Sequence, residues 1–587
     1  MIYFSLLATH KLGQQAARLL IGLCFSIGAW AQISPAQERD IGIRHQQELQ
    51  RQQQQEYQQR QQMERRPDVR LTTSEKTVPR SLPVETPCFQ IQRLLLKNVS
   101  GELLSEFDWV LQQLTASDAP LFIGQCVGAQ GVSWLIERTQ KILVDRGFVT
   151  SRVLAAQQDM SQGALALTLI PGRIRAIRLS EPVDPRVNLI NALPMKEGDI
   201  LNLRDIEQAL ENLKRVPTAE ADIQIEPAQG NDAQIGDSDL VVSYRQLFPL
   251  RITLNVDDSG IKATGRYQGS TTVSYDNALT LNDLFYVTNT NALGGSDPGP
   301  RGTHAKTVHY SFPVGYWTIG ATSSTSRYHQ TVAGLNQSYV YRGTSENNEI
   351  KINRLLMRDE VQKLNLAMRA FQRKSNNYID DTEVETQKRI VGGWDATVSH
   401  KTFIQEATLE SNLTYKRGTG AFGSLPAPEE GFGEGTSRFA LMTADVNLAQ
   451  PFKLSDQRLR YNTTWRIQHN RTPLTPQDRF VIGGRYTVRG FDGETVLSAE
   501  RGWLWRNELS VALGDSGQEL YAGLDIGRVR GPTSDLLVAK QLTGAVIGLR
   551  GAFQKMTYDI FIAEPIKTPD NFKTAGSTAG FSLSASF

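Results

Sequence analysis

From about Pro249 to the terminal Phe587 the chain is written in short segments whose apolar and polar residues alternate, and this pattern limits the fold more than any other feature. The last residues, Phe581-Ser-Leu-Ser-Ala-Ser-Phe587, are apolar at every second position. Thr307–Phe312, Lys363–Phe371 and Ser437–Leu448 read the same way, in segments of roughly 10 residues between turns. Successive side chains of a strand point to opposite faces, so period two means one apolar face and one wet face. Lipid outside a closed sheet and water inside it produce that alternation. Within lipid every backbone N–H and C=O needs a protein partner, so the sheet must close on itself. Counting segments gives sixteen or seventeen strands; taking Ser338 to Met357 as one long strand leaves sixteen, the even number expected of a bacterial barrel. A soluble all-β repeat is the alternative, and no blade-like repeat is visible.

Hydropathy agrees with a barrel. The mean hydropathy is −0.34, and beyond the N-terminus no apolar run of about 18 residues is present, so no transmembrane helix is expected. Net charge is +2, from 63 basic and 61 acidic residues. That balance carries no polyanion signature, and no nucleic-acid partner is expected.

At the N-terminus Lys11 and Arg18 precede the apolar Leu19–Gly28, and Ala29-Trp-Ala31 follows. A basic region, a short apolar core and a small-x-small end read as a secretory signal peptide over 1–31, cut after Ala31. The cysteines that would remain, Cys88 and Cys126, suggest one disulfide in an exported chain, two separate thiols being the alternative. Residues 32–66 are dominated by glutamine with mixed arginine and glutamate. These are good helix formers, yet Ile41, Ile43, Leu49, Tyr57 and Met63 make no coiled-coil seam. The segment is either a lone helix in a wet environment or a disordered tail, and a water-filled lumen would suit the helix. Prolines 67, 79 and 83 mark 67–86 as an extended linker.

Two small α+β units follow, over 87–172 and 173–247. In the first, Phe89–Leu96 reads as a strand, and Leu103, Phe107, Val110, Leu111 and Leu114 mark one helical face. A second helix carries Val132, Leu135, Ile136 and Leu143, with Gly147 placed to end it. Strands are expected in Phe148–Val153 and Ala164–Ile170. In the second, Ile174–Leu179 begins a strand, and Asn202 caps a helix with Leu203, Ile206, Leu210 and Leu213 on its core face. Strands near Ile223–Ile225 and Leu240–Tyr244 close it. The expected order is β-α-α-β-β in each unit.

Three stretches imitate chemistry. Gly418-Thr-Gly-Ala-Phe-Gly423 has the spacing of a phosphate loop, but Ser-Leu-Pro-Ala-Pro follows where a helix is needed. Gly514-Asp-Ser-Gly517 and Ile390-Val-Gly-Gly393 resemble segments of trypsin-like proteases. A nucleophilic serine needs a base within hydrogen-bond reach, and none of the seven histidines lies in a matching context. No metal-ligand spacing is present. The expectation is no enzyme, no metal and no cofactor.

Between Gln457–His469 and Arg501–Leu513 lies a connection of about 30 residues, around 470–500, well beyond the roughly 12–15 residues of an ordinary loop. It contains Gly483-Gly484 and then Val488-Arg489-Gly490-Phe491. Alone, this would read as a glycine turn with one solvated arginine. Placed after a signal peptide, a polar helix, two α+β units and an alternating barrel, it matches the V-R-G-[YF] motif of a known family. The chain resembles the outer-membrane transporters of two-partner (type V) secretion, the TpsB family, over essentially its whole mature length.

The resemblance implies a 16-stranded antiparallel transmembrane β-barrel over 248–587, preceded by a plug helix and two POTRA domains that lie in the periplasm of a Gram-negative bacterium. It implies a loop folded into the lumen, where Val488, Arg489, Gly490 and Phe491 meet the wall and Arg489 pairs with an acid. The matching wall segment is Gly523-Leu-Asp-Ile-Gly527, which points to Asp525. Phe581, Leu583, Ala585 and Phe587 would serve as the C-terminal signal read by the barrel-assembly machinery in outer-membrane lipid. The implied partner is a large secreted exoprotein with an N-terminal secretion domain (an adhesin, a haemolysin or a contact-dependent inhibition toxin) that crosses unfolded and without ATP. A barrel-assembly insertase of the same superfamily and a passive porin are the alternatives.

Overall fold

The computed structural model describes residues 35–64, 67–72, 79, 81–116, 122–229, 233–333 and 337–587. The signal peptide expected over 1–31 lies outside them. Sixteen strands, from Leu250–Asp257 to Thr578–Ser586, form a closed antiparallel barrel, and a two-residue strand, Thr382–Glu383, pairs on one of its hairpins. Each strand bonds its sequence neighbour, and the last bonds the first, with Ser586 opposite Thr253 and Ser582 opposite Asp257. At this seam Leu583 and Ala585 sit across from Val256 and Leu254, so apolar side chains share one face. The serines between them share the other with Thr253, Asn255 and Asp257. Alternation in the sequence therefore becomes one lipid-facing and one lumen-facing surface. Ser338–Arg358 is one strand of 21 residues, as the even strand count suggested.

The glutamine-rich segment is helix α1 (Pro35–Met63), and it stands inside the barrel. Below it, the first α+β unit has a two-stranded ribbon, Phe89–Ile91 with Gln125–Val127, stapled by the Cys88–Cys126 disulfide. Its three-stranded sheet places Ala164–Ile170 between the parallel Arg93–Lys97 and the antiparallel Arg152–Leu154. Helices α2 (Asp108–Ala116) and α3 (Ala129–Asp145) cover a core of Phe107, Val110, Leu135, Leu143, Leu165, Leu167 and Leu169. Glu85 accepts N–H groups from Gly128, Gln130 and Gly131, tying the linker to the start of α3. Burial works against the ionised Glu85 carboxyl, but those three donors prevail and hold its pKa below the ordinary value.

Four details of this unit differ from the sequence reading. A strand, Gln125–Val127, separates the two helices, and Leu103, expected on the first helical face, precedes α2 and is exposed. Phe89–Leu96 is not one strand: it breaks at Gln92, where the N–H groups of Gln92 and Arg93 both donate to the Gly163 carbonyl. The strand after α3 begins only at Arg152, not Phe148.

In the second unit Ser238–Gln246 lies between the parallel Ile174–Leu179 and the antiparallel Ala219–Pro227. Helix α4 (Leu203–Leu213) packs on this sheet, its first turn capped by Asn202 Oδ1 accepting from the Arg204 N–H at 2.8 Å. The unit is β-α-β-β, with one helix rather than the two expected. Residues 180–202 form turns instead, because Pro182, Pro185 and Pro194 remove the N–H donors that a helix interior requires.

Candidate functional site

Residues 471–500 leave the strand Gln457–Asn470 and return to Arg501–Ala512 through the lumen. A short ribbon, Phe480–Ile482 against Leu497–Ala499, stiffens the loop, and Gly483, Gly490 and Gly493 take positive φ at its tip. Ile482, Val488, Phe491, Leu497, Leu504, Val529, Leu542 and Phe572 make a small apolar core against the wall. Phe491 meets Phe572 edge-on, with centroids 5.7 Å apart. The loop is thus packed in place, and it presents Arg489 to the wall.

Arg489 and Asp525 are brought together. Arg489 Nε donates to Asp525 Oδ2 at 2.7 Å, Nη2 to Oδ1 at 2.9 Å, and the Arg489 backbone N–H to Oδ2 at 3.0 Å. Nη1 donates to Glu508 Oε2 at 2.6 Å. Arg489 is 7% exposed and Asp525 0%. A carboxylate buried to that degree needs both a counter-charge and filled lone pairs, and the guanidinium fork supplies both. Around the pair the charges continue along the wall: Glu508 with Arg550 at 2.7 Å, Arg550 with Glu519 at 3.1 Å, and Glu519 with Arg460. Arg506, directly across the ladder from Asp525, stands 3.7 Å from it.

Glycines make the slot. A Cβ at Gly523 would lie 2.7 Å from Arg489 Nη2, and one at Gly527 would lie 2.9 Å from Val488 Cγ2. At Gly544, opposite Asp525 on the next strand, a Cβ would fall 1.8 Å from the Arg489 carbonyl oxygen. Gly490 in turn lets the loop approach the Glu564 carbonyl. The sequence reading missed Glu508, Gly544 and Phe572. Glu508 had a signal, since it shares the lumen-facing register of Arg506 in the strand Arg501–Ala512; the other two did not.

Helix α1 is the second occupant of the lumen. Gln50 Nε2 donates to the Pro476 carbonyl of the loop at 2.6 Å. Gln55 reaches Ser259 at 2.9 Å, and Glu56 accepts from Ser324 at 3.1 Å. Arg60 pairs with Glu349 at 2.7 Å, and Glu64 accepts from Tyr286 at 3.3 Å. These contacts are polar, as a glutamine-rich helix requires, and only at its end does Met63 pack against an apolar cluster.

The remaining stretches singled out from sequence fall elsewhere. Phe581, Leu583 and Ala585 lie in the closing strand, and Phe587 exchanges backbone bonds with Ile252. Gly514–Gly517 is a turn between strands, Ile390–Gly393 lies in the strand Arg389–Ile404, and Gly418–Gly423 begins at the end of Ala407–Thr419.

Comparison with known proteins gives the same picture. The family of the haemolysin secretion/activation proteins ShlB/FhaC/HecB matches residues 236–551. A ShlB-type POTRA domain matches 108–172 and a further POTRA domain matches 173–227. The outer membrane transporter CdiB-2 of Burkholderia pseudomallei is 36% identical over 530 residues, covering 86% of this chain and 88% of the relative. The hemolysin transporter protein ShlB of Serratia marcescens is 25% identical over 485 residues, 82% of this chain and 83% of the relative. The solved structure of CdiB from Acinetobacter baumannii superposes with a TM-score of 0.83 at 29% identity, covering 93% of this chain and 99% of that one. The chain therefore belongs to the ShlB/FhaC/HecB family and is an outer-membrane transporter of two-partner secretion, with its POTRA domains in the periplasm.

Proposed function

We propose that the chain receives one large secreted exoprotein on its POTRA domains and passes it, unfolded and without ATP, through the barrel to the cell surface. The partner would carry an N-terminal secretion domain and belong to the adhesins, haemolysins or contact-dependent inhibition toxins. The observation that carries this reading is the content of the lumen: helix α1 and the loop 471–500 both stand where a polypeptide would pass. The contacts that Gln55, Glu56 and Arg60 of α1 make are polar and exchangeable for water, so this stretch can leave without exposing an apolar face. Arg489 and Asp525 would act as the latch of the loop. An extended partner would first add to a free sheet edge, which Ala219–Pro227 offers in the second POTRA domain; the edge Arg152–Leu154 of the first is occupied, because Gln140 accepts the Val153 N–H and donates to the Ser151 carbonyl.

The chain would have no enzymatic activity and need no cofactor, with direction supplied by the partner folding outside the cell. Its own insertion would depend on the barrel-assembly machinery reading Phe581, Leu583, Ala585 and Phe587, and on outer-membrane lipid. The test is surface display of the exoprotein in cells carrying Arg489→Ala. Export should nearly vanish while the variant barrel still reaches the membrane; normal export would overturn the latch. Loss of the whole chain should abolish display of one large exoprotein, and unchanged display of every such protein would overturn the transport reading.

A further inference from the structure

The stretch 180–202 of the second POTRA domain lies against the periplasmic turns of the barrel. Asn188 Nδ2 donates to the Thr280 carbonyl at 2.7 Å. Asn191 Nδ2 donates to the Leu281 carbonyl and, at 3.0 Å, to the Pro313 carbonyl. Asn282 Nδ2 returns a bond to the Asn188 carbonyl at 2.8 Å. These bonds fasten the stretch to two successive turns, one after the strand Tyr267–Asp276 and one at the end of Gly302–Val314.

Between the two asparagines Ile190 stands 95% exposed, although its neighbours Leu189 and Leu193 pack on the core of the domain. Leu279, in the first of the turns, is 62% exposed, and Phe248, just before the first strand, is 76% exposed. Phe248 is held beside that turn because the Asp276 N–H donates to the Pro249 carbonyl at 3.0 Å. These bonds bring three exposed apolar residues to one corner of the junction, and a solvated surface would not favour them there.

What covers them follows from their neighbours. The first strand presents Leu250, Ile252, Leu254 and Val256 on its exposed, lipid-facing side immediately above Phe248. Beyond the second turn, Trp317 is exposed with the Arg354 guanidinium 4.8 Å over its ring. An aromatic ring beside a basic group at a strand end marks the membrane–water interface. The apolar corner thus continues the lipid belt of the barrel past the strand ends and onto a periplasmic domain.

We propose that Ile190, Leu279 and Phe248 form a lipid-binding foot, through which the second POTRA domain rests on the phospholipid of the periplasmic leaflet. Side chains of this kind settle about 5–10 Å into the headgroup and acyl boundary. The foot would hold the receiving domain at a fixed height under the barrel mouth. It goes beyond the transport reading and does not depend on what is exported.

The test uses the full chain in vesicles of phosphatidylethanolamine and phosphatidylglycerol, with no exported partner present. Ile190→Cys is labelled with an environment-sensitive fluorophore, and Val99→Cys, an exposed site in the first POTRA domain, serves as reference. Cys88 and Cys126 are paired in the disulfide and leave the introduced thiol to react. The label at 190 should emit to the blue of the label at 99 and lose most of its intensity when lipids carrying a nitroxide high in the acyl chain are included. Adding Leu279→Asp to the Ile190→Cys chain should reduce that loss. Equal behaviour of the two labels overturns the foot. So does a blue shift at 190 that lipid nitroxides leave unquenched and that disappears at one copy per vesicle, which would mean contact between copies. Either result leaves the transport reading untouched.

Discussion

The guanidinium of Arg489 meets two carboxylates in three directions, and its own backbone N–H adds a fourth bond to Asp525. Lysine would carry the charge but only as a point donor, unable to bridge both oxygens of Asp525 and reach Glu508 together. Removing one partner of a buried pair costs roughly 3–5 kcal/mol, mostly because the other charge is left uncompensated. Here Arg506, 3.7 Å from Asp525, can take up part of that charge. Arg489→Ala should therefore free the loop without unfolding the barrel, and Arg489→Lys should do so less completely. Hydrogen exchange over residues 483–496 checks this, with unchanged protection in both variants counting against the latch. Gly544→Ala makes an independent test with every charge in place, because its Cβ would fall 1.8 Å from the Arg489 carbonyl oxygen. It should accelerate the same exchange, whereas Gly431→Ala, with open space around it, should not. The motif around Arg489 was legible in the sequence, and Asp525 could be named from a family likeness. Gly544 could not, because a wall glycine becomes meaningful only when a backbone from another element lies against it.

At the scale of elements, helix α1 shows what composition leaves open. Its 29 residues span about 43 Å at 1.5 Å each, close to the roughly 40–45 Å thickness of a bilayer with its headgroups. A glutamine-rich sequence with no apolar seam reads equally as a disordered tail, because nothing in it names a packing partner. The partner is the wet wall of the barrel, visible only once the sheet has closed. Deleting residues up to 66 should raise single-channel conductance in planar bilayers, and unchanged conductance would remove α1 from the role of plug. Arg60→Ala should act more mildly, producing brief openings rather than a permanently open pore. The reason is that Glu349 keeps a second partner, Arg369, at 2.8 Å. The barrel strands were easier to read than α1 because lipid and water print their two faces directly on the sequence. The second POTRA helix was expected by analogy with the first unit, and three prolines overruled it.

In the whole molecule, one knot of charges joins the second POTRA domain, the barrel and the linker. Arg358, at the periplasmic end of the long strand, is buried and donates to Glu207 Oε2 at 2.7 Å and to Glu211 Oε1 at 3.0 Å on α4. It also donates to the Val69 carbonyl of the linker. The same two glutamates accept the Val69 N–H at 2.9 Å and the Leu71 N–H at 2.7 Å. Lys363 completes the knot by donating to Glu211 and, at 2.9 Å, to Asp68. Barrel, α4 and linker therefore share one buried set of charges, and the linker leads directly to α1. Withdrawal of α1 should therefore be coupled to release of residues 68–71 from this knot. Arg358→Ala removes one of the two barrel cations that touch both α4 and the linker, while Glu207 retains Arg204 and Glu211 retains Lys363. The barrel should still assemble, but the linker over 67–86 should be cleaved faster by added protease and the pore should open more often. Glu207→Gln should loosen the same knot, and because the two residues touch, their effects should not add: a coupling of about 0.5–3 kcal/mol is usual for such neighbours. Strict additivity of Arg358→Ala and Glu207→Gln in the cleavage rate would mean that the linker is held elsewhere, and that the plug and the POTRA domain move independently.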